Sequence, residues 1–392
     1  NPIKAAHNVA KSEIPSMSDA WWESLTQIKE ESQPDAIINS WWDFGHWFKA
    51  VADRAVTFDG GSQATPMAHW IGKTLLTADE DQAIAILHML DCGSNKLFET
   101  INKKYVDTEK SVNVVYELLT MNEEEAVVYL QNLGFGEEAL ANVSKYMYCE
   151  PPENYFITSE DMVGKAGVWS HFGSWDFDKS FIYSYVKNKK VDEAIPLLTE
   201  RFNLTEDQAA DYYYEVQSLT TDTAANNWIA PWPNYVTPRW VGCKNESAEI
   251  FTCNMNIAIG QSNQNQQVYI ERANINLSDL EATYLTLAFV DSNTGTKVGE
   301  STSKPKGIVI ADAESMTRTD LEATDFLFDM VLDTVGKRAL LTDPALAQSI
   351  FTKLFYFDGK YTEHFDKFSD KTSVTGQRII VWKVDWDGKE DT

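Results

Sequence analysis

Apolar positions recur every three or four residues through most of the first 225 residues, a spacing that is typical of helices packed on one face. The stretches 77–91, 122–135 and 205–219 show it most clearly. Each begins with a polar cap and an acidic first turn, and apolar residues then fall on one side of the helix. An amphipathic helix is therefore predicted for each stretch.

A different pattern occurs at residues 35–45. The β-branched pair Ile37 and Ile38 is followed by a short segment that ends at Gly45. This predicts a short buried strand and a tight turn after it. The segment 41–44, Trp-Trp-Asp-Phe, then lies at the exit of the strand, where functional residues are often found.

Helical periodicity stops at 226–240, where three prolines occur within eight residues. Short alternating stretches at 248–277 and 282–300 are separated by Asn, Ser and Gly and predict antiparallel strands. The remaining pattern predicts helices at 320–335 and 343–357 and a last strand at 377–386.

These elements predict an α+β protein in three parts. A mainly α-helical core domain at 1–225 carries the motif at 41–45, and a β-rich antiparallel domain follows at 226–312. The helices and final strand of 313–392 are expected to return and pack on the preceding domains.

Composition narrows the class of protein. The formal net charge of −26 argues against nucleic-acid binding, because such a surface repels polyphosphate. No apolar run is long enough for a membrane-spanning helix, and the first residues lack the apolar centre of a signal peptide, so we expect a chain that is soluble by itself. Because it begins with Asn rather than Met, we expect a processed product or an excised piece of something longer.

Cysteine and asparagine usage favours an exported chain. Cys243 and Cys253 bracket a short loop that a disulfide could close, but the sequence does not decide how these two, Cys92 and Cys149 are paired. No metal site is predicted, because there is no C-x-x-C pair and the six histidines are scattered. Four Asn-x-Ser/Thr tripeptides also favour an exported chain, and they begin at Asn142, Asn203, Asn245 and Asn276.

The Trp41-Trp42-Asp43 triplet has two interpretations. In the simpler one, both indoles are core aromatics and Asp43 caps a turn. Against it, adjacent residues of a strand point to opposite faces, and Gly45 would let the chain bend so that the three side chains converge. Indole N–H groups donate hydrogen bonds and a carboxylate accepts them, so the converged groups complement a hydroxyl.

A second group occurs at 173–187. On a helix, Asp176, Lys179 and Tyr183 fall on one face, with Ile182 beside them. An Asp–Lys pair at this spacing is most often an ordinary surface ion pair. The preceding segment 155–175, however, is rich in Gly and Trp and long for a solvated stretch.

Together the two groups resemble the catalytic subunit of oligosaccharyltransferase, most closely the single-subunit archaeal form. The family motif W-W-D-Y-G is matched at 41–45, with Phe44 in place of Tyr. The second motif, D-x-x-K-x-x-x-(Met/Ile), is matched by Asp176 and Lys179. Its last position departs from the family, since Tyr183 stands there and Ile182 is one residue early.

The resemblance implies transfer of a glycan from a dolichol-type lipid to the Asn of Asn-x-Ser/Thr sequences in an acceptor polypeptide. It implies that Trp41, Trp42 and Asp43 hold the Ser or Thr hydroxyl. It places Lys179 beside that pocket, where its aliphatic stem would pack on the threonine methyl.

In the family, the catalytic acids and the divalent metal, Mg or Mn, belong to an N-terminal membrane region that is absent here. The resemblance therefore implies a C-terminal domain with no catalytic residue and no metal of its own, which binds acceptor weakly and transfers nothing alone. It would lie on the extracytoplasmic face, the cell-surface side in an archaeon. The lipid-linked oligosaccharide would be bound through the membrane region.

Two alternatives remain at the level of sequence. The 13 tryptophans suit an extracellular carbohydrate-binding module or a glycoside hydrolase. An acidic structural protein of the cell envelope is the other, and it would bind no ligand.

Overall fold

The structure, a computed structural model, describes Lys4 and residues 16–247, 249–262, 265–322, 324 and 326–388. Helices dominate its first part and two β-sheets complete it, so the predicted α+β class is confirmed. We number the helices that have eight or more residues together with two shorter ones, the five-residue α8 and the four-residue α14. They are α1 Asp19–Glu31, α2 Met67–Leu76, α3 Glu80–Gly93, α4 Lys96–Tyr105, α5 Thr108–Leu118, α6 Glu123–Asn132, α7 Glu137–Met147, α8 Glu160–Gly164, α9 Ala166–Gly173, α10 Phe177–Val186, α11 Val191–Phe202, α12 Glu206–Ser218, α13 Asp222–Ile229 and α14 Pro344–Ala347.

The three helices predicted from periodicity are confirmed as α3, α6 and α12. Their polar caps explain where they begin. Asn122 caps α6 and Thr205 caps α12, and both helices have a reciprocal capping box with the residue three positions later. Helix α3 begins at Glu80, three residues after the first polar residue of the predicted stretch, Thr77, because Asp79 is the cap and accepts a hydrogen bond from the Gln82 amide.

A five-stranded sheet crosses the helical part. Its strand order is β13-β14-β3-β1-β2, and β1 runs parallel to both of its neighbours. The strands predicted at Ile37-Ile38 and at 377–386 are confirmed as β1 and β14. The strands of this sheet are β1 Ile37–Asn39, β2 Ala55–Val56, β3 Asn154–Ser159, β13 Phe365–Thr372 and β14 Arg378–Val384.

Both faces of this sheet are buried. Tyr155 and Ile157 of β3 pack with Trp21 of α1 on one face, whereas Phe156 lies in the main helical core on the other. Successive strand residues point to opposite faces, which explains this alternation. The sheet therefore lies between α1 and the helical bundle, and β1 is covered on both faces.

A nine-stranded sheet forms the second part, in the order β10-β9-β11-β12-β4-β5-β6-β7-β8. The antiparallel strands predicted over 248–300 are confirmed, and the β9–β11 pair is parallel. The strands are β4 Val241–Ser247, β5 Ile250–Gln261, β6 Gln266–Asn276, β7 Tyr284–Asp291, β8 Lys297–Ser303, β9 Gly307–Ala311, β10 Met316–Asp320, β11 Asp329–Asp333 and β12 Arg338–Thr342.

The helix predicted at 320–335 is wrong. Its described residues contain the end of β10 and the whole of β11, which pairs with β9 and β12. All five residues of β11 are buried, so its sequence is a continuous apolar run framed by two aspartates. A buried strand of this kind cannot be told from a buried helix by periodicity.

The prediction at 343–357 is confirmed as helical but interrupted. Helix α14 ends at Ala347, and a π-helical turn at Thr352–Tyr356 follows. Side chains of this segment and of β14 lie in the main core with those of the first helices. The larger sheet runs continuously from Val241 to Thr342, and the domain limits at 225 and 312 stay predictions.

Two disulfides join the four cysteines, whose pairing the sequence left open. Cys92 at the end of α3 is bonded to Cys149 before β3, and Cys243 of β4 is bonded to Cys253 of β5. In the described part of the chain, no helix combines the length and the apolar character that crossing a bilayer requires.

Candidate functional site

The Trp-Trp-Asp motif begins directly after the central strand β1. Ser40 fixes the exit of the chain, because its hydroxyl donates a hydrogen bond to the Ile157 carbonyl of β3 at 2.8 Å. Trp41 is still extended, and a 3₁₀ turn over Trp42–Phe44 follows. The predicted turn at the strand exit is thus present.

The two indoles differ in exposure. Trp41 is only 3% exposed and packs edge-on against Phe58, with ring centroids 5.3 Å apart, and against Phe172 at 6.2 Å. Trp42 is half-buried against the same core. Both indoles therefore pack on one core, because they follow the strand and the alternation of strand side chains that we expected does not apply to them.

Asp43 forms an ion pair that the sequence did not reveal. Its Oδ1 lies 2.8 Å from Nζ of Lys165, which also contacts Asp161 at 3.0 Å. Burial disfavours the charge of Lys165, but the hydrogen bonds to the two carboxylates raise its pKa. The Lys165 ammonium also lies 5.2 Å from the centre of the Phe44 ring. The i,i+4 spacing of Asp161 and Lys165 was the available signal.

The second oxygen of Asp43 has no partner. Oδ2 is buried and accepts no hydrogen bond within the described residues. Such an acceptor costs about 1–3 kcal/mol unless something satisfies it. The motif therefore holds one neutralised and one unsatisfied carboxylate oxygen.

Gly45 serves a purpose other than the one predicted. Its φ of −55° is ordinary helical backbone, so the bend does not require glycine. A Cβ at this position would lie 2.5 Å from Cβ of Asp59 and 2.7 Å from the Phe58 carbonyl oxygen. The glycine is needed because the segment at 58–59 passes directly against the turn. Phe44, next to it, stacks on Trp47 at 4.6 Å.

The second motif begins α10. Asp176 is the N-cap of this helix and accepts a hydrogen bond from the Lys179 amide at 2.9 Å, so it lies before the helix rather than on its face. The Lys179 ammonium donates to the Trp228 carbonyl at 3.2 Å and lies 5.2 Å from the Trp228 ring. The ammonium thus contacts α13, and a surface ion pair with Asp176 is not what holds it.

The two residues considered for the last position of the second motif differ in burial. Ile182 is 2% exposed, in a small core that α10 shares with α11 and α12. Tyr183 is half-buried at the edge of this core. The choice between them stays open.

Helix α9 links the two motifs. Lys165 precedes it and binds Asp43, and Phe172 near its end packs on Trp41. Asp176 follows three residues after the end of the helix. The structure therefore joins the motifs through α9, and the contacts of Lys179 described above are with α13.

The sequence pattern did not reveal a half-buried carboxyl that lies beneath β1. Asp91 of α3 accepts hydrogen bonds from the side-chain amides of Asn39 at 2.7 Å and Asn154 at 2.6 Å. Burial raises the pKa of Asp91 to about 7, although both hydrogen bonds oppose the shift. An acidic residue at the end of an apolar helix stripe was the signal. Because Asn39 precedes Ser40, this network supports the strand end that carries the motif.

Among the described residues, one group of side chains is a candidate metal site. This group brings three ligand atoms close together: His88, Cys92 and Cys149. The two cysteines form a disulfide, so neither offers the thiolate that a metal binds. This group therefore does not fit a metal ion.

The fold and motif define an α+β protein with a Trp-Trp-Asp turn at the end of its central strand, and part of its sequence is similar to known glycotransferases. The chain is 34% identical over 172 residues to the dolichyl-phosphooligosaccharide-protein glycotransferase of Methanococcus voltae, covering 42% of this chain and 19% of the relative. The chain is 33% identical over 182 residues to the protein of the same name from Methanocaldococcus jannaschii, a match that covers 45% of this chain and 19% of the relative. A shorter match, 32% over 59 residues, is with glycotransferase 2 of Pyrococcus horikoshii.

The chain is thus homologous to archaeal oligosaccharyltransferases, and the resemblance inferred from its motifs is confirmed at that level. It spans about a fifth of the length of the first two relatives, 19% in each case. No family model matches the chain. The crystal structure of the C. jejuni pglb C-terminal domain is similar over 93% of this chain and 98% of that chain, with a TM-score of 0.38 and 10% identity, and we infer nothing further from it.

These matches do not favour the carbohydrate-binding module or the glycoside hydrolase. The roles of the individual motif residues stay predictions.

Proposed function

We propose that this chain is the part of an oligosaccharyltransferase that recognises the Ser or Thr hydroxyl of an acceptor Asn-x-Ser/Thr sequence. The observation that carries the proposal is the buried Oδ2 of Asp43, which has no hydrogen-bond partner within the described residues. An ionised carboxylate only accepts hydrogen bonds, so it requires a donor, and a hydroxyl is one.

The neighbouring groups suit this role. Lys165 holds the other oxygen of Asp43 and so fixes the orientation of the carboxylate. Trp42 and Asp43 are both partly exposed, and we assign direct contact with the peptide to them. Trp41 is buried, and we propose that it supports the turn from the side of the core. Since Oδ2 is covered, binding requires a local side-chain shift, which is common at interfaces.

Lys179 has a more limited role in this proposal. Its ammonium is held by the Trp228 carbonyl, so its aliphatic stem is the part that remains for a substrate. Packing of that stem on the threonine methyl would favour Thr over Ser. Asp176 supports it by capping the helix.

The whole enzyme would transfer a dolichol-type lipid-linked oligosaccharide to the acceptor Asn, and this chain would transfer nothing alone. The names of the relatives support the reaction. As the family resemblance implies, we place the divalent metal, Mg or Mn, in the membrane region. The two disulfides support an extracytoplasmic location, where such bonds persist.

The test uses a full-length glycotransferase that contains this chain, a lipid-linked glycan, and peptides that differ only as Asn-Ala-Thr or Asn-Ala-Ala. A hydrogen bond to a charged group contributes about 1.5–3 kcal/mol, so the hydroxyl should raise kcat/KM at least about tenfold. Asp43→Asn should reduce this preference to a few-fold at most.

Asp161→Asn is the matched control. It removes the other carboxylate on Lys165 and leaves the proposed hydroxyl acceptor in place. If both variants lose the preference equally, the effect comes from Lys165 and the proposal for Asp43 is wrong. Glycan transfer by the isolated chain would contradict the assignment of the catalytic groups to another region.

A further inference from the structure

A small aromatic cavity lies beside the candidate site. It has a volume of about 230 Å³ and opens between α2, α5 and the connection from α9 to α10. Its walls include the rings of Phe98, Phe172, Trp175 and Phe177. Ala68, at 4% exposure, belongs to the buried part of the lining, and Pro66 at the rim is exposed. The cavity is therefore accessible from solvent.

The lining has no buried polar group that needs a hydrogen bond from a ligand. His69 is the buried polar residue in it, and both of its ring nitrogens are engaged, Nδ1 with the Phe172 carbonyl at 2.8 Å and Nε2 with the Tyr116 hydroxyl at 2.6 Å. The carbonyl can only accept, so Nδ1 carries the proton and Nε2 accepts from Tyr116. Burial lowers the pKa of His69 to about 4, and the ring is neutral at pH 7. A polar or charged ligand group would lose its water here and gain no partner.

The position of the cavity connects it to both motifs. Phe172 forms part of its wall and also packs on Trp41, with ring centroids 6.2 Å apart. Trp175, another wall residue, immediately precedes Asp176 at the start of α10. The Phe172 ring thus contacts both the cavity and Trp41 of the Trp-Trp-Asp turn. An extended peptide advances about 3.3 Å per residue, so a chain bound at that turn reaches the cavity within a few residues.

We propose that this cavity binds one apolar side chain, aliphatic or aromatic, of the acceptor polypeptide, a few residues from its Ser or Thr. The inference rests on the proposed function and adds a second recognition element to it. A volume of about 230 Å³ is below the roughly 300–1,000 Å³ of sites that hold whole small molecules. A sugar is excluded because its hydroxyls would be buried without partners.

The test scans an alanine-based Asn-Ala-Thr peptide with single leucine or phenylalanine substitutions at each of about five positions on either side. The enzyme is the full-length glycotransferase that contains this chain. Burial of one such side chain should lower KM about tenfold at one position, and lysine at that position should give no gain.

Two variants fill the cavity from two different helices. Ala68→Leu acts from α2 and Val112→Phe from α5, and each should reduce the ratio of KM between the alanine peptide and the preferred peptide to about one. Thermal unfolding of each variant establishes that it is folded, and two independent fillings keep the test valid if one does not fold. Ala141→Leu, on the exposed face of α7, is the control and should leave the ratio unchanged.

The outcomes separate the two proposals. If threonine peptides are preferred over alanine peptides but no flanking position matters, or the flanking preference survives both fillings, the cavity proposal is overturned and the hydroxyl site stands. If the flanking preference follows the fillings but Asp43→Asn keeps the threonine preference, the cavity is supported and the proposed role of Asp43 fails.

Discussion

Asp91 should make the protein less stable as pH rises toward neutrality. Its carboxyl accepts hydrogen bonds from Asn39 and Asn154 beneath the central sheet, and its burial raises its pKa from 3.8 to about 7. Below pH 3.8 both the folded and the unfolded chain carry the proton. Between 3.8 and about 7 the unfolded chain releases it and the folded chain keeps it, so unfolding becomes progressively easier. Above about 7 both are ionised and the loss ends.

The size of the effect follows from the shift. A difference of about three pH units, at about 1.4 kcal/mol each, corresponds to about 4 kcal/mol of unfolding free energy. Asp91→Asn should remove this dependence, because an amide cannot ionise. Asn154 can accommodate the change: its Oδ1 is buried, has no hydrogen-bond partner among the residues that the structure describes, and can accept from the new amide once the side chain rotates.

The measurement is urea unfolding followed by tryptophan fluorescence, in half-unit steps from pH 4.5 to 8, for the wild type and Asp91→Asn. The variant should gain about 3 kcal/mol relative to the wild type across this range, and titrations elsewhere cancel in the difference. Asp81→Asn, on the exposed start of the same helix, is the control and should show a flat difference. A flat difference for Asp91→Asn, or a relative loss with rising pH, would show that the two amides hold the carboxylate ionised and that the reasoning is wrong.

Two further predictions concern packing and covalent links. Gly45→Ala should lower the unfolding free energy by about 1–3 kcal/mol in the same urea assay, because the added methyl overlaps Asp59. An unchanged urea midpoint would mean that the backbone at 58–59 moves aside at no cost in stability. Replacing both cysteines of Cys92–Cys149 by alanine should cost about 4 kcal/mol against about 3 for Cys243–Cys253, since the first bond spans 57 residues and the second 10. Equal losses in urea titrations of the two double variants would show that loop length does not decide how much each disulfide stabilises the protein.

The sequence predicts elements well where a local rule decides them. Capping residues and apolar stripes located α3, α6 and α12, and the β-branched pair Ile37-Ile38 located β1. Local rules failed for β11, because a strand covered on both faces has no polar side to show its period. Its identity is decided by pairing with β9 and β12, which lies outside the reach of a local pattern.

The candidate site shows the same division. The motif residues and their place at a strand exit follow from adjacent letters of the sequence. The ion pair of Asp43 with Lys165 joins residues more than a hundred positions apart, and the network of Asn39, Asp91 and Asn154 joins three separate elements. Composition and periodicity carry no record of such contacts. The function of Gly45 was misjudged for the same reason, since the constraint comes from the distant Asp59 rather than from its own backbone.

Helix α9 gives the two motifs a common physical base. It is packed so closely on α2 that a Cβ on Gly72 or Gly173 would overlap the backbone of the opposite helix. Because Lys165 precedes α9 and Phe172 belongs to it, a shift of this helix would move the partners of Asp43 and Trp41 together, and with them the start of α10. The glycine contact restricts such a shift, since neither helix can slide without breaking backbone-to-backbone packing. The geometry between the proposed hydroxyl site and the aromatic cavity is therefore set by α9, and both proposed recognition elements depend on the same glycine pair.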